Sequence, residues 1–340
     1  MDFKDLTLKE LTAIVATLGK PQYTAKNLFR WVYKKRVEDY ALMSDVAKEL
    51  REHLVANYSM SAPEIVSTEK SSDGTVKFLL KLNDGETIES VLIPKEDRTT
   101  ICVSTQVGCK MGCMFCMTGK QGFQGQLTPG EIVNQIRSIQ EYGEVSNIVY
   151  MGMGEPFDNL EAVLKSLNIL TSEWGYGMSP RRITVSSIGI IPAMLRFLKE
   201  SEAHLAISLH TPFDTERQKL MPVQIAYPIA EVVNEIKSWD FGRQRRVSFE
   251  YILFKGMNDT PLHVRELSRL LSGIRCRINL IRFHPVPGTP LESPDEEIIN
   301  NFKEQLNAKD ITTTIRASRG QDIYAACGLL STKELISTIV

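Results

Sequence analysis

Hydrophobic residues follow a helical period in the first part of the chain. Apolar positions recur every three or four residues over 6–18, and Gly19 then interrupts the pattern. The segments 25–33 and 44–55 repeat the same period. We therefore expect a small helical domain over residues 1–60, which could pack as a cap or grip RNA as an accessory domain.

Over residues 76–94, hydrophobic and polar residues alternate with a period of two. The run VKFLLKL is followed by the turn Asn83-Asp84-Gly85 and then by TIESVLIP. Two alternating runs joined by such a turn are typical of a β-hairpin. The sequence therefore predicts a hairpin linker over residues 61–94.

The remaining chain, residues 95–340, alternates short apolar runs with longer amphipathic ones. Seven runs are expected to be strands: TICVSTQV, NIVYMG, RITVSSIG, HLAISLH, VSFEYILF, RINLIRF and TTTIRAS. The segments between most of them are expected to be helices: 129–142, 160–171, 192–199, 229–238, 261–271 and 295–307. Such alternation favours a parallel sheet with crossover helices, closed into a barrel or a partial barrel.

Polar and glycine-rich motifs follow several of these predicted strands. Gly152, Gly154 and Glu155 stand in MGMGEP, and serines end the next two strands. The carboxyl ends of barrel strands meet at one mouth, where chemistry is usually located. Each motif alone is also typical of a tight turn, and His210 alone is more typical of a structural histidine.

Composition limits the class of protein. The chain has 340 residues, 43% hydrophobic and 24% charged, with a formal net charge of −1. The first residues lack the apolar core of a signal peptide, and no run approaches the ~18 apolar residues of a membrane span. We expect a cytoplasmic protein with no membrane partner.

Basic residues form local clusters although the net charge of the chain is close to zero. Such clusters are usually solvated surface, and they form a phosphate-binding track only if several share one face. The clusters are Lys34-Lys35-Arg36, Arg181-Arg182, Arg243 with Arg245-Arg246, and Arg316 with Arg319.

Three cysteines carry the most specific signal. Cys109, Cys113 and Cys116 stand in VGCKMGCMFCMTG with the spacing C-x-x-x-C-x-x-C. Three thiolates can hold three irons of a [4Fe–4S] cluster and leave the fourth iron open, whereas a ferredoxin cluster uses four cysteines. Structural zinc prefers four ligands, commonly from two knuckles, and the sequence has no second knuckle. The spacing favours the cluster, and zinc remains the alternative.

Three further cysteines lie outside this motif. Cys102 precedes the motif by seven residues, and Cys327 lies in the loop-like run RGQDIYAACG. A lone cysteine is usually a small buried apolar residue, and Cys276 is assigned that role. A disulfide framework is not expected with six cysteines in a chain of this length.

The sequence resembles the radical SAM (S-adenosylmethionine) RNA methyltransferases that modify adenine, the RlmN family, to which the Cfr resistance enzymes are related. The resemblance rests on six runs in the family's order: CVSTQVGCKMGCMFCMTGKQGF, MGMGEP, SPRRITVSSIGIIP, LAISLH, INLIRF and TIRASRGQDIYAACG. It implies an α/β fold with a radical SAM partial (β/α)6 TIM-like barrel. It also implies that the segment near the carboxyl terminus contains the methyl-carrier cysteine.

The resemblance further implies roles for individual residues. Cys327 would carry the methyl group, Cys102 would be the second redox thiol, and Glu89 would accept a proton. The cluster would be bound by Cys109, Cys113 and Cys116. The residues expected to contact S-adenosyl-L-methionine are Gly154, Glu155, Ser186, Ser208, Leu209, His210 and His284. His284 replaces the asparagine usual in the family, so this contact would become sensitive to pH.

The chemistry implied by the family requires two S-adenosylmethionine molecules. The first would methylate the Cys327 sulfur, and the second would be cleaved to a radical that activates this methyl group. The activated carbon would add to C2 of adenine, Glu89 would remove the ring proton, and Cys102 would release the product as a disulfide forms. The target base would have to leave its stack to reach Cys327.

The expected substrates are 23S rRNA, at an adenosine near the peptidyl-transferase centre, and transfer RNA, at the adenosine 3′ of the anticodon. An electron donor such as flavodoxin or ferredoxin would be needed, and we expect a monomer. Two alternatives stay open at this point. One is methylation of C8 of the same ribosomal adenosine, as in Cfr, and the other is a non-enzymatic zinc or cluster module that binds RNA.

Overall fold

The computed structural model describes residues 1–139, 142, 144–242 and 247–332. The basic cluster of Arg243, Arg245 and Arg246 lies outside the described residues, as do residues 140 and 141 of the predicted helix 129–142. Within the described part of the chain, no helix is long and apolar enough to cross a membrane.

The amino-terminal segment folds into three short helices: α1 (Leu8–Thr17), α2 (Tyr23–Phe29) and α3 (Lys48–Asn57). A capping box fixes the start of α1, because the Thr7 and Glu10 side chains each accept a hydrogen bond from the other residue's backbone. The third helix was predicted to begin at residue 44, but α3 begins four residues later, at Lys48. A turn precedes it, in which Val46 N–H donates to Met43 O. The helical amino-terminal region is otherwise as predicted.

A ten-stranded mixed sheet forms the body, in the order β1-β2-β3-β4-β7-β8-β9-β10-β11-β12. The first pairings are antiparallel, and every pairing from β4 to β12 is parallel. The strands are β1 (Glu64–Lys70), β2 (Val76–Lys81), β3 (Thr87–Lys95), β4 (Arg98–Cys102), β7 (Asn147–Tyr150), β8 (Ile183–Ser187), β9 (His204–Ser208), β10 (Val247–Leu253), β11 (Cys276–Arg282) and β12 (Thr312–Ile315). A separate pair contains β5 (Gln106–Gly108) and β6 (Phe123–Gln126).

The short helix α4 (Met117–Gln121) lies between the antiparallel strands β5 and β6. The helices in the connections between the parallel strands are α5 (Pro129–Ser138), α6 (Leu160–Thr171), α7 (Ile191–Glu200), α8 (Asp214–Leu220), α9 (Ile229–Ser238), α10 (Pro261–Leu271) and α11 (Glu296–Asn307). Six β/α units and the closing strand β12 make a partial (β/α)6 barrel, which confirms the predicted fold class. The seven predicted strand regions and six predicted helices of this body are all observed, with shifted boundaries.

Two features of the sheet differ from the predictions. A third antiparallel strand, β1, extends the hairpin of β2 and β3. The hydrophobic pattern did not reveal it because most of its residues are exposed. The run TICVSTQV is not one strand. It ends as β4 at Cys102, and the chain enters the small sheet at Gln106.

The buried apolar residues form two separate groups. The larger core fills the space between the sheet and its helices and extends into α1, α2 and α3. The smaller one lies at the carboxyl ends of the strands and contains Phe115, Leu220, Ile252, Phe254, Phe283 and Ala326. Here we call this second group the upper apolar cluster, and it surrounds the candidate site.

Candidate active site

The cysteine motif lies in the loop between β5 and α4, within the upper apolar cluster. Cys109 is buried, and Cys113 and Cys116 are half-buried. Burial raises the pKa of the Cys109 thiol to about 12, and it raises the pKa values of Cys113 and Cys116 as well. The Cys113 thiol is further affected by both of the others, so the three sulfurs lie within electrostatic range of one another.

These residues fit a [4Fe–4S] cluster. In such a cluster each thiolate binds a different iron, so the sulfurs gather around a volume and do not meet at one atom. Among the described residues, no three His, Cys, Asp or Glu side chains are grouped closely enough to hold a metal ion. Buried thiols with raised pKa values need nearby positive charge to ionise, and the iron of a cluster would provide it. The apolar surroundings also limit the access of water, which affects the potential of such clusters.

The Cys327 loop docks directly on the cysteine motif. Met117 N–H donates to Gly328 O at 2.7 Å. Gly328 has φ +84°, and a Cβ at this position would lie 2.9 Å from Phe115 O. Only glycine therefore allows this close backbone approach. The Cys327 thiol is exposed and lies within electrostatic range of both Cys116 and Cys102.

A second set of contacts anchors the other side of this loop to the turn between β1 and β2. Asp322 Oδ1 accepts from Ser71 Oγ at 2.5 Å, and Asp73 Oδ2 accepts from Gly320 N–H at 3.0 Å. Burial opposes the ionised form of Asp73, but hydrogen bonds from Thr75 and Gly320 lower its pKa to about 2. The antiparallel strands thus hold the segment that precedes Cys327.

Cys102 is the last residue of β4 and is buried. Burial, and then the neighbouring Cys327, raise the pKa of the Cys102 thiol to about 12, whereas the guanidinium of Arg316 opposes this shift. All six cysteines are free thiols. The structure therefore brings together the two thiols that the sequence analysis paired as methyl carrier and second redox thiol.

Glu89 lies on β3, two residues from Val91, the register partner of Cys102. Its carboxylate is buried, lies 3.2 Å from Lys77 Nζ, and accepts from Ser331 N–H at 2.8 Å. Burial raises the pKa of Glu89 although Lys77 opposes the shift. A raised pKa suits a carboxylate that must accept a proton near neutral pH. Its link to the Cys327 loop is through Ser331.

Gly154 and Glu155 follow β7 in the loop MGMGEP. Gly154 has φ +99°, and a Cβ there would lie 2.6 Å from the Gln106 side chain. Both Glu155 carboxylate oxygens are occupied, because they accept from Phe157 N–H at 2.9 Å and Ile188 N–H at 3.0 Å. Burial raises the pKa of Glu155 to about 7. Glu155 thus fastens the β7 loop to the end of β8.

Ser186, Ser208, Leu209 and His210 lie at the ends of β8 and β9. His210 Nδ1 accepts from Ile252 N–H at 3.0 Å, which leaves its proton on Nε2. Burial and the nearby Arg217 lower the pKa of His210 to about 3, so the ring is neutral. The ring packs edge-on against Phe115 of the cysteine motif, with centroids 4.7 Å apart. Ser186 and Ser208 are half-buried at the same edge.

A cavity of about 1030 Å³ runs through the barrel. At the carboxyl ends of the strands its lining includes Cys327, His284 and Met151, and along the strands it is formed by side chains such as Thr184 and Asn279. His284 is buried, and burial together with Arg282 lowers its pKa, so the ring is mostly neutral at physiological pH.

The opposite end of this cavity is basic. Cations cluster around the amino-terminal ends of the strands: Lys95, Arg98, Arg181, Arg182, Lys237, Arg275 and Arg277. Here we call these seven residues the basic rim. Among the described residues, no ion pair is formed by any of them, and Trp239 and Phe241 lie in the same lining. An anionic ligand with unsaturated rings would find both charge and stacking surfaces at this mouth.

Sequence reasoning missed two cations of the site, one fully buried and one half-buried. Arg217 of α8 is fully buried and donates to the backbone carbonyls of Ile188, Ser208 and Leu209. Arg316 follows β12 and approaches Glu250 of β10, with Nη1 3.4 Å from Oε2. Arg316 was assigned only to a surface cluster. No local motif marks either residue, because their partners are distant in the sequence.

Comparisons with known proteins agree with this geometry. A family model of the radical SAM superfamily matches residues 103–267, and a model described as the ribosomal RNA large subunit methyltransferase N-terminal domain matches residues 1–59. The fold and the cysteine motif thus define a radical SAM enzyme.

Full-length relatives narrow the class. One is the "Probable dual-specificity RNA methyltransferase RlmN" of Bacteroides fragilis, which is 50% identical over 96% of this chain and 95% of the relative. The dual-specificity RNA methyltransferase RlmN of Syntrophus aciditrophicus is 42% identical to this chain, over 98% of this chain and 97% of the relative. The chain belongs to the RlmN family of radical SAM RNA methyltransferases. A crystal structure of a radical SAM methyltransferase from Sphaerobacter thermophilus superposes with a TM-score of 0.89, at 43% identity over 97% of this chain and 99% of the other.

Proposed function

We propose that this protein methylates C2 of adenosine in RNA through a methyl group carried on Cys327. The observation that carries the proposal is the position of the Cys327 loop. It docks on the cysteine motif through Met117 and Gly328. Its thiol is within electrostatic range of both Cys116 and Cys102, and Cys327 shares the lining of one cavity with the basic rim.

The cofactors would be held by the residues at the carboxyl ends of the strands. Cys109, Cys113 and Cys116 would bind a [4Fe–4S] cluster. S-adenosylmethionine would lie against Gly154, Glu155, Ser186, His284 and the segment from Ser208 to His210. Together, the bound cluster and S-adenosylmethionine supply one-electron chemistry that can activate a carbon–hydrogen bond. The neutral His210 offers an Nε2–H donor there, and Glu155 keeps the β7 loop in place.

The other residues act on the methyl group and the base. Adenine C2 is an electron-poor carbon, so direct polar transfer of a methyl cation to it is unfavourable. The Cys327 sulfur would instead carry the one-carbon unit to the base, Glu89 would take the C2 proton, and Cys102 would attack the Cys327 sulfur to release the product. This division of work would give a role to each of Cys102 and Cys327, which lie within electrostatic range of one another.

The cavity supports RNA as the substrate class. A flipped adenine has a flat ring, and its flanking phosphates need cations. The basic rim supplies the cations, and the cavity leads from it to Cys327. We propose 23S rRNA and transfer RNA as substrates, a flavodoxin or ferredoxin as the electron donor, and a monomer in the cytoplasm as the working form.

The decisive experiment is analysis of the modified nucleoside. The reduced, cluster-containing protein would be incubated with unmodified RNA and S-adenosylmethionine labelled with deuterium in its methyl group, and the RNA would be digested for mass spectrometry. We expect labelled 2-methyladenosine, and none with Cys327→Ala. A main product of 8-methyladenosine would overturn the assignment of C2. Zinc without sulfide in the anaerobically purified protein would overturn the enzyme mechanism itself.

A further inference from the structure

Glu89 has little direct access to solvent, since its side chain is only 6% exposed. Its carboxylate contacts the ammonium of Lys77, with Nζ 3.2 Å from Oε1, and the backbone N–H of Ser331, at 2.8 Å. Of these two groups, only the ammonium can donate one proton and accept another in its place. Lys77 is therefore the contact through which a proton on Glu89 can leave.

Lys77 joins this buried carboxylate to a second carboxylate at the surface. Its Nζ also lies 3.1 Å from Glu69 Oε1. The Lys77 side chain is 10% exposed, whereas that of Glu69 is 49% exposed. The three side chains thus form a continuous row that is buried at Glu89 and open to water at Glu69.

The register of the antiparallel strands fixes this row. Glu69 of β1 is the register partner of Lys77 of β2, and Lys77 in turn pairs with Val91 of β3. Glu89 is two residues from Val91 on the same strand, so it shares the face of Val91 and lies diagonally opposite Lys77, within reach of a long side chain. Because β1 stands at the start of the strand order, the row runs from the edge of the sheet to the site.

We propose that Lys77 and Glu69 form a proton relay that returns Glu89 to its ionised state after each methylation. The inference rests on the proposed function, in which Glu89 takes the C2 proton. Lys77 donates one of its protons to the Glu69 carboxylate and receives the proton held by Glu89. Lys77 is then an ammonium again, Glu89 is a carboxylate, and Glu69 releases its proton to water. One proton passes from Glu89 to solvent, and no group is oxidised or reduced.

Lys77→Arg separates a relay from a simple ion pair. A guanidinium keeps the positive charge between the two carboxylates, but it does not give up its proton in proteins. The reduced, cluster-containing protein would receive excess RNA, S-adenosylmethionine and reductant, and 2-methyladenosine would be measured by rapid quench over the first and later turnovers. We expect a first turnover close to that of the wild type and later turnovers slower by about tenfold or more, because Glu89 stays protonated.

Glu69→Ala tests the exposed end of the relay. Its first turnover should also be close to that of the wild type. Its later turnovers should be slow but should accelerate as acetate is added, because a small carboxylate from solution can accept the proton in place of Glu69. Glu64→Ala is the matched control, since Glu64 is exposed on the same strand but has Lys81 as its register partner. It should behave like the wild type with or without acetate.

The relay makes these outcomes exclusive. If either Lys77→Arg or Glu69→Ala keeps the later turnovers of the wild type, the proposal is wrong. It is also wrong if the first turnover of Glu69→Ala falls as much as the later ones, or if acetate has no effect, since both results indicate a purely structural role. Iron content and melting temperature are measured for each variant, and slow turnover that accompanies lost iron counts against the proposal.

The outcome is separable from that of the proposed function. If the wild-type protein forms 2-methyladenosine while the variants keep its later turnovers, only the relay through Lys77 and Glu69 is rejected. If the wild-type protein forms no 2-methyladenosine, the proposed function itself fails.

Discussion

Cys102 and Cys327 make the sharpest residue-scale prediction. Cys102→Ala should leave methyl transfer to the base intact but block release, because no second sulfur can attack Cys327. We therefore expect a covalent protein–RNA adduct that migrates slowly on a denaturing gel. Cys327→Ala should form none, since no carrier sulfur remains.

Cys276→Ala is the matched control, because Cys276 also lies in the cavity lining but at the amino-terminal end of β11, away from the site. It should behave like the wild type. Normal turnover by Cys102→Ala would exclude Cys102 as the releasing thiol.

Glu89 gives a prediction about pH. A proton acceptor works above its pKa, and burial raises that of Glu89 although Lys77 opposes the shift. The acid limb of the pH–rate profile should therefore lie above that of an ordinary carboxylate. Lys77→Met removes the opposing cation, so the limb should move to still higher pH.

Glu89→Gln should reduce the rate of 2-methyladenosine formation by roughly 10²–10⁴-fold, the usual contribution of a positioned base. The readout is the single-turnover rate between about pH 5 and 9. An acid limb that stays in place in Lys77→Met would show that another group titrates there.

At the scale of elements, the docking of the Cys327 loop depends on Gly328. Gly328→Ala would force a Cβ against Phe115 O, 2.9 Å away, and would also strain a residue at φ +84°. Gly256→Ala is a matched control, because Gly256 has φ +68° but nothing within 4 Å of its Cβ position. Both variants should lose about 1–2 kcal/mol from backbone strain.

Only Gly328→Ala should lose methylation by an additional tenfold or more, because it alone displaces the loop that carries Cys327. Melting temperature and single-turnover rate separate the two effects. Equal losses of activity in both variants would contradict the importance of this contact.

The elements were predictable where the pattern is strong. Most positions of β7, β8, β9 and β10 are buried or half-buried, and their apolar runs therefore stand out from the polar helical faces between them. β1 did not stand out, because an exposed edge strand has no apolar face to reveal it. The break after Cys102 was also hidden, because residues 103–107 stay buried after the chain leaves the main sheet.

The candidate site was only partly readable from the sequence. Cysteine spacing and strand-end motifs identify residues that are close in the chain. The pairing of Arg316 with Glu250 joins β12 to β10, and the hydrogen bond between Ser71 and Asp322 joins residues that are 251 positions apart in the sequence. Such contacts follow from the order of strands in the sheet, which no local motif encodes.

At the scale of the whole molecule, the net charge is nearly zero, but positive charge is concentrated at one end of the barrel. The basic rim faces one end of the barrel, and the cysteine motif lies at the other. If RNA enters from the rim, its affinity should depend on salt through contacts between these cations and phosphates. Arg181 and Arg182 are exposed, so replacing them should not alter the fold.

The double variant Arg181→Ala/Arg182→Ala should bind substrate RNA more weakly, and the slope of log affinity against log salt should fall by about one unit for each phosphate that the variant no longer neutralises. Lys219→Ala is the matched control, because Lys219 is also exposed but lies on α8, outside the cavity lining. Binding would be measured by fluorescence anisotropy with a labelled anticodon stem-loop over a range of salt concentrations. If RNA enters past the basic rim, the slope of log affinity against log salt should be reduced only in the arginine variant. An unchanged slope there, or an equal reduction in Lys219→Ala, would mean that the RNA reaches Cys327 by another face of the barrel.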